Sequence, residues 1–308
     1  QGNGTFIESA KKAGLNYRGA SVMVAFADYD NDGDLDAYLC NNHVDSPEPP
    51  LWKYSKDANG MPIVPAELKG IAKALYRPDL KDGMLIPAGE SDRLYQNNGD
   101  GTFTDVSAKA GIHDEDFGLS CTWWDFDHDG DPDLYNSNDF YGSDHLYRNN
   151  GDGSFTNVNE AALPHTPWFS MGSDVADINN DGLLDFMASD MQGTTHFKQK
   201  ISMGDMQGWF LETATPRQYM RNALYINSGT ARLQEAAFLC GVASTDWTWS
   251  LKFADLDSDG RDDLYVTNGA ERFWDNSDIM NAARGAQRIN TPELRKLWLP
   301  SPVRNDPN

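Results

Sequence analysis

The stretch DYDNDGDLD, residues 28–36, places five aspartates in nine positions. Carboxylates packed this closely repel one another, so the segment needs something that offsets the repulsion. The same pattern occurs three more times, as DFDHDGDPD at 125–133, DINNDGLLD at 177–185 and DLDSDGRDD at 255–263. We call these segments the first to fourth acidic loops, and their recurrence indicates a repeat protein.

A second motif precedes each acidic loop at a fixed distance. It reads GNGTF, GDGTF, GDGSF and GTARL, and it ends at Phe6, Phe103, Phe155 and Leu233. The first aspartate of the next acidic loop follows 22 positions later in all four cases, whereas 75, 30 and 56 residues separate an acidic loop from the next glycine motif. This combination is typical of a structural repeat whose insertions enter at one point of the unit.

The shortest complete unit, 103–155, predicts four short strands. Their sequences are GLSCTWWDF, DLYNSN, HLYRNN and SFTNV, with the acidic loop between the first two and the GDG turn between the last two. Units of about 40–50 residues that each form a four-stranded antiparallel sheet are typical of β-propeller blades. A β-sandwich is the alternative, but it does not explain the fixed spacing. We therefore predict an all-β fold, a β-propeller of four-stranded antiparallel blades.

The predicted domain is a single β-propeller, or part of one, over 1–308. Its parts are the fourth strand of a preceding blade at 1–8, a blade at 18–108 with an insertion at 41–91, a blade at 117–159, a blade at 168–236 with an insertion at 191–221, a half blade at 247–268 and a C-terminal extension at 269–308. Residues 51–65 are a candidate for an extra, degenerate hairpin.

The predicted blades sort their loops between two ends. The acidic loops and the GDG turns share one end, and every long insertion falls at the other. Because loops held by a rigid scaffold commonly carry function, the insertion-bearing end is the expected recognition surface.

The pattern D-x-D-x-D-G-x-x-D supplies oxygen ligands around a tight turn. Side chains at positions 1, 3 and 5 converge, glycine at position 6 permits the turn, position 7 offers its backbone carbonyl, and the carboxylate at position 9 can bind through both oxygens. Ca²⁺ prefers such a cage, whereas Mg²⁺ seldom uses dedicated protein cages. The predicted ligands are Asp28, Asp30, Asp32, the Asp34 carbonyl and Asp36; Asp125, Asp127, Asp129, the Asp131 carbonyl and Asp133; Asp177, Asn179, Asp181, the Leu183 carbonyl and Asp185; and Asp255, Asp257, Asp259, the Arg261 carbonyl and Asp263.

The four ions, if present, are expected to be structural. A dissociation constant of about 10 μM in roughly 1 mM calcium would stabilise the native state by about 2.7 kcal/mol per site. Four such sites approach the whole stability of an ordinary domain. Loops of this affinity would stay unfilled at cytosolic calcium levels, so we expect an extracytoplasmic protein. In the third loop Asn179 stands where the others have aspartate, which lowers the charge of that site.

The composition excludes some classes of binding partner. The chain has 47 Asp and Glu against 25 Lys and Arg, a formal charge of −22, which argues against nucleic acid or an anionic membrane surface. Its three cysteines, Cys40, Cys121 and Cys240, are too few for a disulfide-stapled scaffold. The sequence also lacks the run of about eighteen apolar residues that a membrane span needs.

The repeats resemble a known family. The four loops, together with LYRNNGDGSFTNV at 146–158, look like FG-GAP (VCBS-type) repeats. The segments FSMGSDVADINNDGLLDFMASDM, PRQYMRNALYINSG and STDWTWSLKFADLDSDGRDDLYVTNG resemble the ASPIC/UnbV group, relatives of cartilage acidic protein. The resemblance implies a calcium-binding propeller, usually of seven blades, on an extracytoplasmic protein that binds other molecules. It implies no catalytic residue.

The chain holds about four of these blades. It opens at a fourth strand and stops before another third-and-fourth hairpin appears. Either it is part of a longer chain, or residues 1–8 complete the last blade and close a small ring. We favour the longer chain, because members of the family that it resembles are longer.

Three functions remain open at this point. The first is a calcium-stabilised module that binds a protein or glycan on the insertion-bearing face; the second is a secreted polysaccharide lyase or hydrolase on a propeller scaffold; the third is a structural subunit of a larger extracellular assembly. A cluster of Tyr, His, Lys or Arg around one pocket would favour the enzyme. The apolar segment 191–220 could cap a central channel or meet a partner, and Asp174 and Lys252 form either an ion pair or a site.

Overall fold

The computed structural model describes residues 2–43, 54–70, 72–77, 81–140, 142–201 and 214–269. The predicted C-terminal extension lies outside the described residues except for Gly269, and so do 44–53 and 202–213 of the two insertions.

The first unit forms a four-stranded antiparallel sheet. Its elements and those of its insertion are β1 (Ser21–Ala27), β2 (Asp36–Asn41), β3 (Ala72–Arg77), β4 (Asp82–Pro87), β5 (Arg93–Asn97) and β6 (Phe103–Asp105). The sheet order is β1-β2-β5-β6, and β3 and β4 pair separately as a hairpin inside the insertion. The described part of the candidate segment 51–65 forms a small hairpin, because Lys56 and Pro62 pair in an antiparallel bridge and the N–H groups of Ile63 and Asp57 donate to the carbonyls of Ser55 and Met61, both at 2.8 Å. The β3–β4 hairpin at 72–87 is a second one, which the sequence did not predict.

The second and third units repeat this sheet. The second comprises β7 (Gly118–Trp124), β8 (Asp133–Asn138), β9 (His145–Asn149) and β10 (Phe155–Asn157). A short strand β11 (Thr166–Pro167) precedes the third, which comprises β12 (Ser173–Ala176), β13 (Asp185–Ala188), β15 (Ala223–Ile226) and β16 (Gln234–Glu235), while β14 (Gln218–Tyr219) pairs with β11. The fourth unit has β17 (Thr248–Ala254) and β18 (Asp263–Asn268).

Helices in the described residues are few and short. They are α1 (Ala10–Ala13), α2 (Ser107–Ala110), α3 (Asn159–Ala162), α4 (His196–Ile201) and a 3₁₀ turn at Ala66–Leu68. The described fold is thus all-β, and the sheets of its repeating units are antiparallel, as predicted, while β11 and β14 pair in parallel. Each acidic loop connects the first and second strands of its unit.

Successive sheets pack face to face. The first strands lie beside one another in chain order, β1 against β7, β7 against β12 and β12 against β17. Between the second and third sheets, the indole of Trp124 stacks on the ring of Phe186 with centroids 4.7 Å apart. Tyr135 packs on the same Phe186 ring, and burial of such large aromatic side chains provides most of the driving force for joining two sheets.

The apolar residue that ends the glycine motif explains part of the repeat. Phe155, which follows the GDG turn of the second unit, is buried and packs on the Tyr29 ring at the second position of the first acidic loop, 5.7 Å between centroids. In the next unit Leu233 and Phe126 occupy the same two places in one core. The apolar residue of each of these motifs therefore anchors the acidic loop of the preceding unit.

The outer faces of the first and fourth units are uncovered by the described residues. Val24 is 44% exposed, although Cys121 and Leu251, which hold its place in the second and fourth units, are 2% and 1% exposed. At the other end Tyr265 is 58% exposed, whereas its equivalents Tyr38 and Tyr135 are fully buried. Each of these two exposed faces therefore carries apolar residues at positions that are buried where neighbouring units pack on each other.

Candidate metal sites in the acidic loops

Each acidic loop is wound around its first aspartate. In the first loop the Asp28 carboxylate accepts backbone N–H groups of Asp32 and Gly33, both at 2.9 Å. Asp32 in turn accepts the N–H of Asp34 at 2.9 Å. The third and fourth loops repeat these bonds at Asp177, Asp181, Asp255 and Asp259, and the second repeats them in part at Asp125 and Asp129. In the first and fourth loops this winding brings the carboxylates at positions 1, 3 and 5 close together, and in the second loop those at positions 1, 3 and 9.

Two positions of every loop have a positive φ. Glycine at position 6 was expected there, and Gly33, for example, has φ 95°. Position 4 also lies in the left-handed region, which the sequence analysis missed, with φ between 58° and 63° at Asn31, His128, Asn180 and Ser258. Three of these four are asparagine or histidine, residue types that tolerate this region better than most, and that enrichment was the available signal.

Position 4 gives a first testable prediction. His128 is exposed and has φ 62°, so a β-branched residue there would be strained. We expect His128→Val to lower the free energy of unfolding by about 1–2 kcal/mol, and His128→Asn, the residue that two other loops use, to change it by less than about 0.5 kcal/mol. Urea denaturation at a fixed calcium concentration measures both. Equal losses in the two variants would contradict the backbone explanation.

The carboxylates converge in three loops. Ligand oxygens of the following groups lie within 4.8 Å of one another: Asp28, Asp30 and Asp32; Asp125, Asp127 and Asp133; Asp255, Asp257 and Asp259. Three carboxylate oxygens of these residues are buried and have no hydrogen-bond partner, namely Oδ1 of Asp30, Asp125 and Asp127. A buried carboxylate oxygen without a partner is unfavourable, and a hard cation is the ligand that would satisfy several at once.

The third loop differs at Asn179. Its Oδ1 accepts the N–H of Asp181 at 2.9 Å, and its Nδ2 donates to Asp181 Oδ2 at 3.0 Å. The amide thus supplies a donor where the other loops have a second negative charge. This arrangement reduces the repulsion between positions 3 and 5, and weaker binding at the third loop stays a prediction.

The aspartate at position 9 also supports the sheet. Asp133 is fully buried; its Oδ2 accepts the N–H of Phe126 at 2.9 Å and its Oδ1 accepts the N–H of Asn149 at 2.8 Å. Asp36 and Asp185 make the same pairs of bonds, and Asp263 makes the first of them. The sequence predicted these residues as ligands and missed their role as a link between the loop and the third strand. Each carboxylate oxygen has two lone pairs, so the bonds leave acceptor capacity for an ion.

Burial of these ninth-position carboxylates disfavours their charged form. It raises the pKa of Asp133 to about 7, and the pKa values of Asp36 and Asp185 to about 6. A bound cation would act in the opposite direction by favouring the carboxylate.

Position 7 was predicted to act through its backbone carbonyl. The side chains there differ between the loops, as Asp34, Asp131, Leu183 and Arg261. This variation agrees with a role for the main chain. At Asp131 the side chain has a separate function, because its Oδ1 accepts Asn31 Nδ2 of the first loop at 2.7 Å.

The opposite end of the units holds a partly buried polar cluster that the sequence did not reveal. His145 Nε2 lies 2.9 Å from Asp116 Oδ2, and its Nδ1 lies 2.8 Å from Asn157 Nδ2. Lys73, from the β3–β4 hairpin, pairs with the same Asp116, while Tyr147 contacts Asp114. These are residue types that a glycan-cleaving site would use, but here they are partly or fully buried and bonded to the carboxylates of Asp114 and Asp116. The cluster fixes the insertion to the second unit.

Asp174 and Lys252, for which two interpretations were open, form an ion pair. Lys252 Nζ lies 2.7 Å from Asp174 Oδ1, and Asp174 Oδ2 also accepts the N–H of Phe253. The pair joins β12 to β17. The free cysteines Cys40 and Cys121 are buried and Cys240 is exposed.

Asp139 gives a prediction about pH. Burial, with a contribution from the Asp190 carboxylate, raises its pKa to about 7, and its Oδ1 is buried without a hydrogen-bond partner. A raised pKa in the folded state means that the stabilisation is complete below the unfolded pKa of about 3.9 and is lost as the pH rises through about 7. We expect Asp139→Asn to match the unsubstituted protein at pH 4 and to exceed its free energy of unfolding by at least about 1 kcal/mol at pH 8.

Denaturation of both proteins at several pH values and one calcium concentration checks this. The acidic loops are the same in both, so their titration cancels in the difference. A difference that is constant between pH 4 and pH 8 would contradict the assignment.

Comparison with known proteins supports the repeat. The FG-GAP-like repeat family matches residues 82–136 and 125–188, a region that contains the second and third acidic loops. No curated protein matches the sequence. A solved structure described as a lectin of Agrocybe aegerita that recognises non-reducing terminal N-acetylglucosamine aligns with 83% of this chain and 63% of its own, at 15% identity and a TM-score of 0.32. The chain thus spans less than two thirds of that lectin. No helix in the described part of the chain is long and apolar enough to cross a membrane.

Proposed function

We propose that the protein is a calcium-binding β-propeller module whose ions stabilise the fold. The observation that carries the proposal is the convergence of carboxylates in the first, second and fourth loops, with buried partnerless oxygens in the first two. In each loop the side chains at positions 1, 3, 5 and 9 and the carbonyl at position 7 would hold one ion. A site closed by five protein ligands leaves little room for substrate, so the ions have a structural and not a catalytic role.

The ring architecture belongs to the same proposal. The uncovered faces that carry Val24 and Tyr265 match the faces buried between neighbouring units, which supports further blades around a common axis. We propose a seven-bladed ring in the intact molecule, of which this chain provides about four blades. The matched FG-GAP-like repeats agree with that fold, and we propose the ASPIC/UnbV group as the relevant branch.

We further propose that the insertion-bearing end recognises a protein or a glycan outside the cytoplasm. Exposed apolar side chains occur there on separate elements, at Ile63 in the first insertion, Phe197 on α4 and Trp249 at the start of β17. Aromatic side chains on loops that a rigid sheet supports are common contact residues for both partner types. The excess negative charge disfavours nucleic acid.

Direct calcium binding tests the central claim. Isothermal titration of chelator-stripped protein with calcium chloride should show binding of up to four ions, with the weakest at the third loop. Asp30→Ala should remove one ion, because its side chain belongs to the first loop alone. Titration curves without saturable heat would reject the proposal.

The recognition claim needs a separate experiment. Glycan-array and pull-down screens of the calcium-loaded protein should be compared with a Phe197→Ser and Trp249→Ser double variant. We expect the bound ligand to be lost in the variant while calcium binding is retained. A ligand that binds both proteins equally would show that the recognition surface does not include Phe197 and Trp249.

A further inference from the structure

Two buried asparagines connect consecutive acidic loops. Asn149, the last residue of β9, is 1% exposed, and its Nδ2 donates to the Tyr29 carbonyl of the first loop at 2.7 Å and to the Pro132 carbonyl of the second loop at 3.2 Å. Its backbone N–H donates to Asp133 Oδ1, the ninth position of the second loop. One residue therefore bonds to the main chain of one loop and to both the main chain and a candidate ligand of the next.

The next junction repeats this contact. Asn227, at the corresponding place after β15, is fully buried, and its Nδ2 donates to the Phe126 carbonyl of the second loop at 2.8 Å. Its backbone N–H donates to Asp185 Oδ1 of the third loop at 2.8 Å. In both cases the accepting carbonyl is at position 2, between the ligand positions 1 and 3.

A second, exposed contact joins the first two loops. Asn31 Nδ2 donates to Asp131 Oδ1 at 2.7 Å. Asp131 is the seventh-position residue whose backbone carbonyl is a predicted ligand. The first and second loops are thus linked through the core by Asn149 and across the surface by Asn31.

We propose that Asn149 and Asn227 are positioning residues that couple neighbouring ion sites, so that filling one acidic loop raises the affinity of the next; this inference rests on the proposed function. An ion in the second loop fixes Asp133 and the adjoining Pro132 carbonyl. Their bonds then fix Asn149, which holds the Tyr29 peptide and with it the flanking ligands Asp28 and Asp30. The first loop is ordered before its own ion arrives, and that ion loses less conformational entropy on binding.

Repulsion between two bound dications acts against this coupling. The loops are at the surface, where salt screens charges that are more than about 10 Å apart. Each loop also contributes several carboxylates of its own. We therefore expect positive coupling, with an affinity ratio of about fivefold or more, which lies in the usual range for linked sites.

The test requires a signal from each loop separately. Gly33 and Gly130 provide it, because their N–H groups donate to Asp28 and Asp125 and belong to the first and second loops respectively. NMR spectra of protein labelled with ¹⁵N-glycine are recorded during a titration with calcium chloride alone. The midpoint at Gly33 is compared between proteins with and without Asp127→Ala, which removes a ligand of the second loop.

With Asn149 in place, Asp127→Ala should raise the calcium concentration at the Gly33 midpoint about fivefold or more. In the Asn149→Ala protein the same substitution should raise it less than about twofold. Asn97→Ala is the matched control, since Asn97 holds the corresponding place in the first unit and its Nδ2 donates to the Leu35 carbonyl of its own loop. That control should leave the fivefold ratio intact.

If the Asn149→Ala protein does not fold, the same measurement is made on an Asn31→Gly variant. Asn31 is exposed and has φ 58°, which glycine adopts readily, so this variant removes one link without disturbing the core. Asn31→Gly should reduce the ratio of the Gly33 midpoints measured with and without Asp127→Ala. A Gly33 response that saturates but ignores Asp127→Ala, or a ratio unchanged in both asparagine variants, would overturn the coupling alone. If neither glycine resonance responds to calcium, the proposed calcium binding fails instead.

Discussion

Removal of calcium with an excess of EDTA is expected to lower the unfolding midpoint of the protein by more than about 20 °C. At a free calcium concentration one hundred times the dissociation constant, each site stabilises the native state by about 2.7 kcal/mol, and four sites together by roughly 10 kcal/mol. A loss of 1 kcal/mol lowers the midpoint of a domain of this size by about 2–4 °C. The buried, partnerless oxygens of Asp30, Asp125 and Asp127 indicate where the metal-free protein is unfavourable.

Thermal unfolding followed by circular dichroism measures the effect. Adding back calcium should restore the midpoint, whereas magnesium at the same concentration should restore only a small part, because it prefers to keep its own water shell. The variants His128→Asn and Asp139→Asn retain all four loops, so EDTA should lower their unfolding midpoints by as much as that of the unsubstituted protein. An unchanged midpoint in EDTA would show that the aspartates are a solvated acidic turn, as favoured by the turn propensity of Asp and Gly.

Asp133→Ala is expected to be the most damaging substitution at a single ligand, with a loss of about 3–5 kcal/mol. The change leaves the N–H groups of Phe126 and Asn149 without their partner in the interior, and each unsatisfied donor costs about 1–3 kcal/mol. It also removes a ligand from the second loop. Both effects act on one junction between a loop and its sheet, so they add to the same destabilisation.

The fourth unit contains the matched control for this substitution. Asp263 holds the same ninth position and accepts the N–H of Leu256 at 3.1 Å, but it is exposed. Asp263→Ala should therefore cost no more than about half as much when both variants are unfolded with urea in calcium. Measured in EDTA, the Asp133→Ala variant should still lose stability through its two backbone donors. Equal losses for the two positions would show that burial and backbone bonding at Asp133 contribute little.

The acidic loops were the most predictable part of the molecule. Their first-to-second-strand location and the antiparallel order of each unit follow from local signals, namely alternating strands, GDG turns and a nine-residue motif whose winding depends on residues close in the chain. The bonds from Asp28 to Asp32 and Gly33, for example, span at most five residues. Such contacts depend only on residues that are close in the sequence, so the sequence of a single repeat is enough to predict them.

Contacts between units were not predictable in the same way. Asn149 and Tyr29 are 120 positions apart, and Asn227 and Phe126 are 101 apart. In the sequence each asparagine is simply one of several polar residues before a glycine turn. The β3–β4 hairpin was also missed, because nothing in the repeat marks an element that occurs once.

By itself, the amino-acid sequence determined the repeating unit, the place of the acidic loops within it and the oxygen-rich set of side chains that those loops present. Only the tertiary structure decided that the ninth aspartate of the first three loops is buried beneath the loop, that Trp124 and Phe186 join two sheets, and that Asn149 and Asn227 bind adjacent loops to each other. The physical reason is the separation in sequence of the residues that interact. Turn winding and strand alternation are set by neighbouring residues, whereas burial and the pairing of distant polar groups exist only once the sheets have packed.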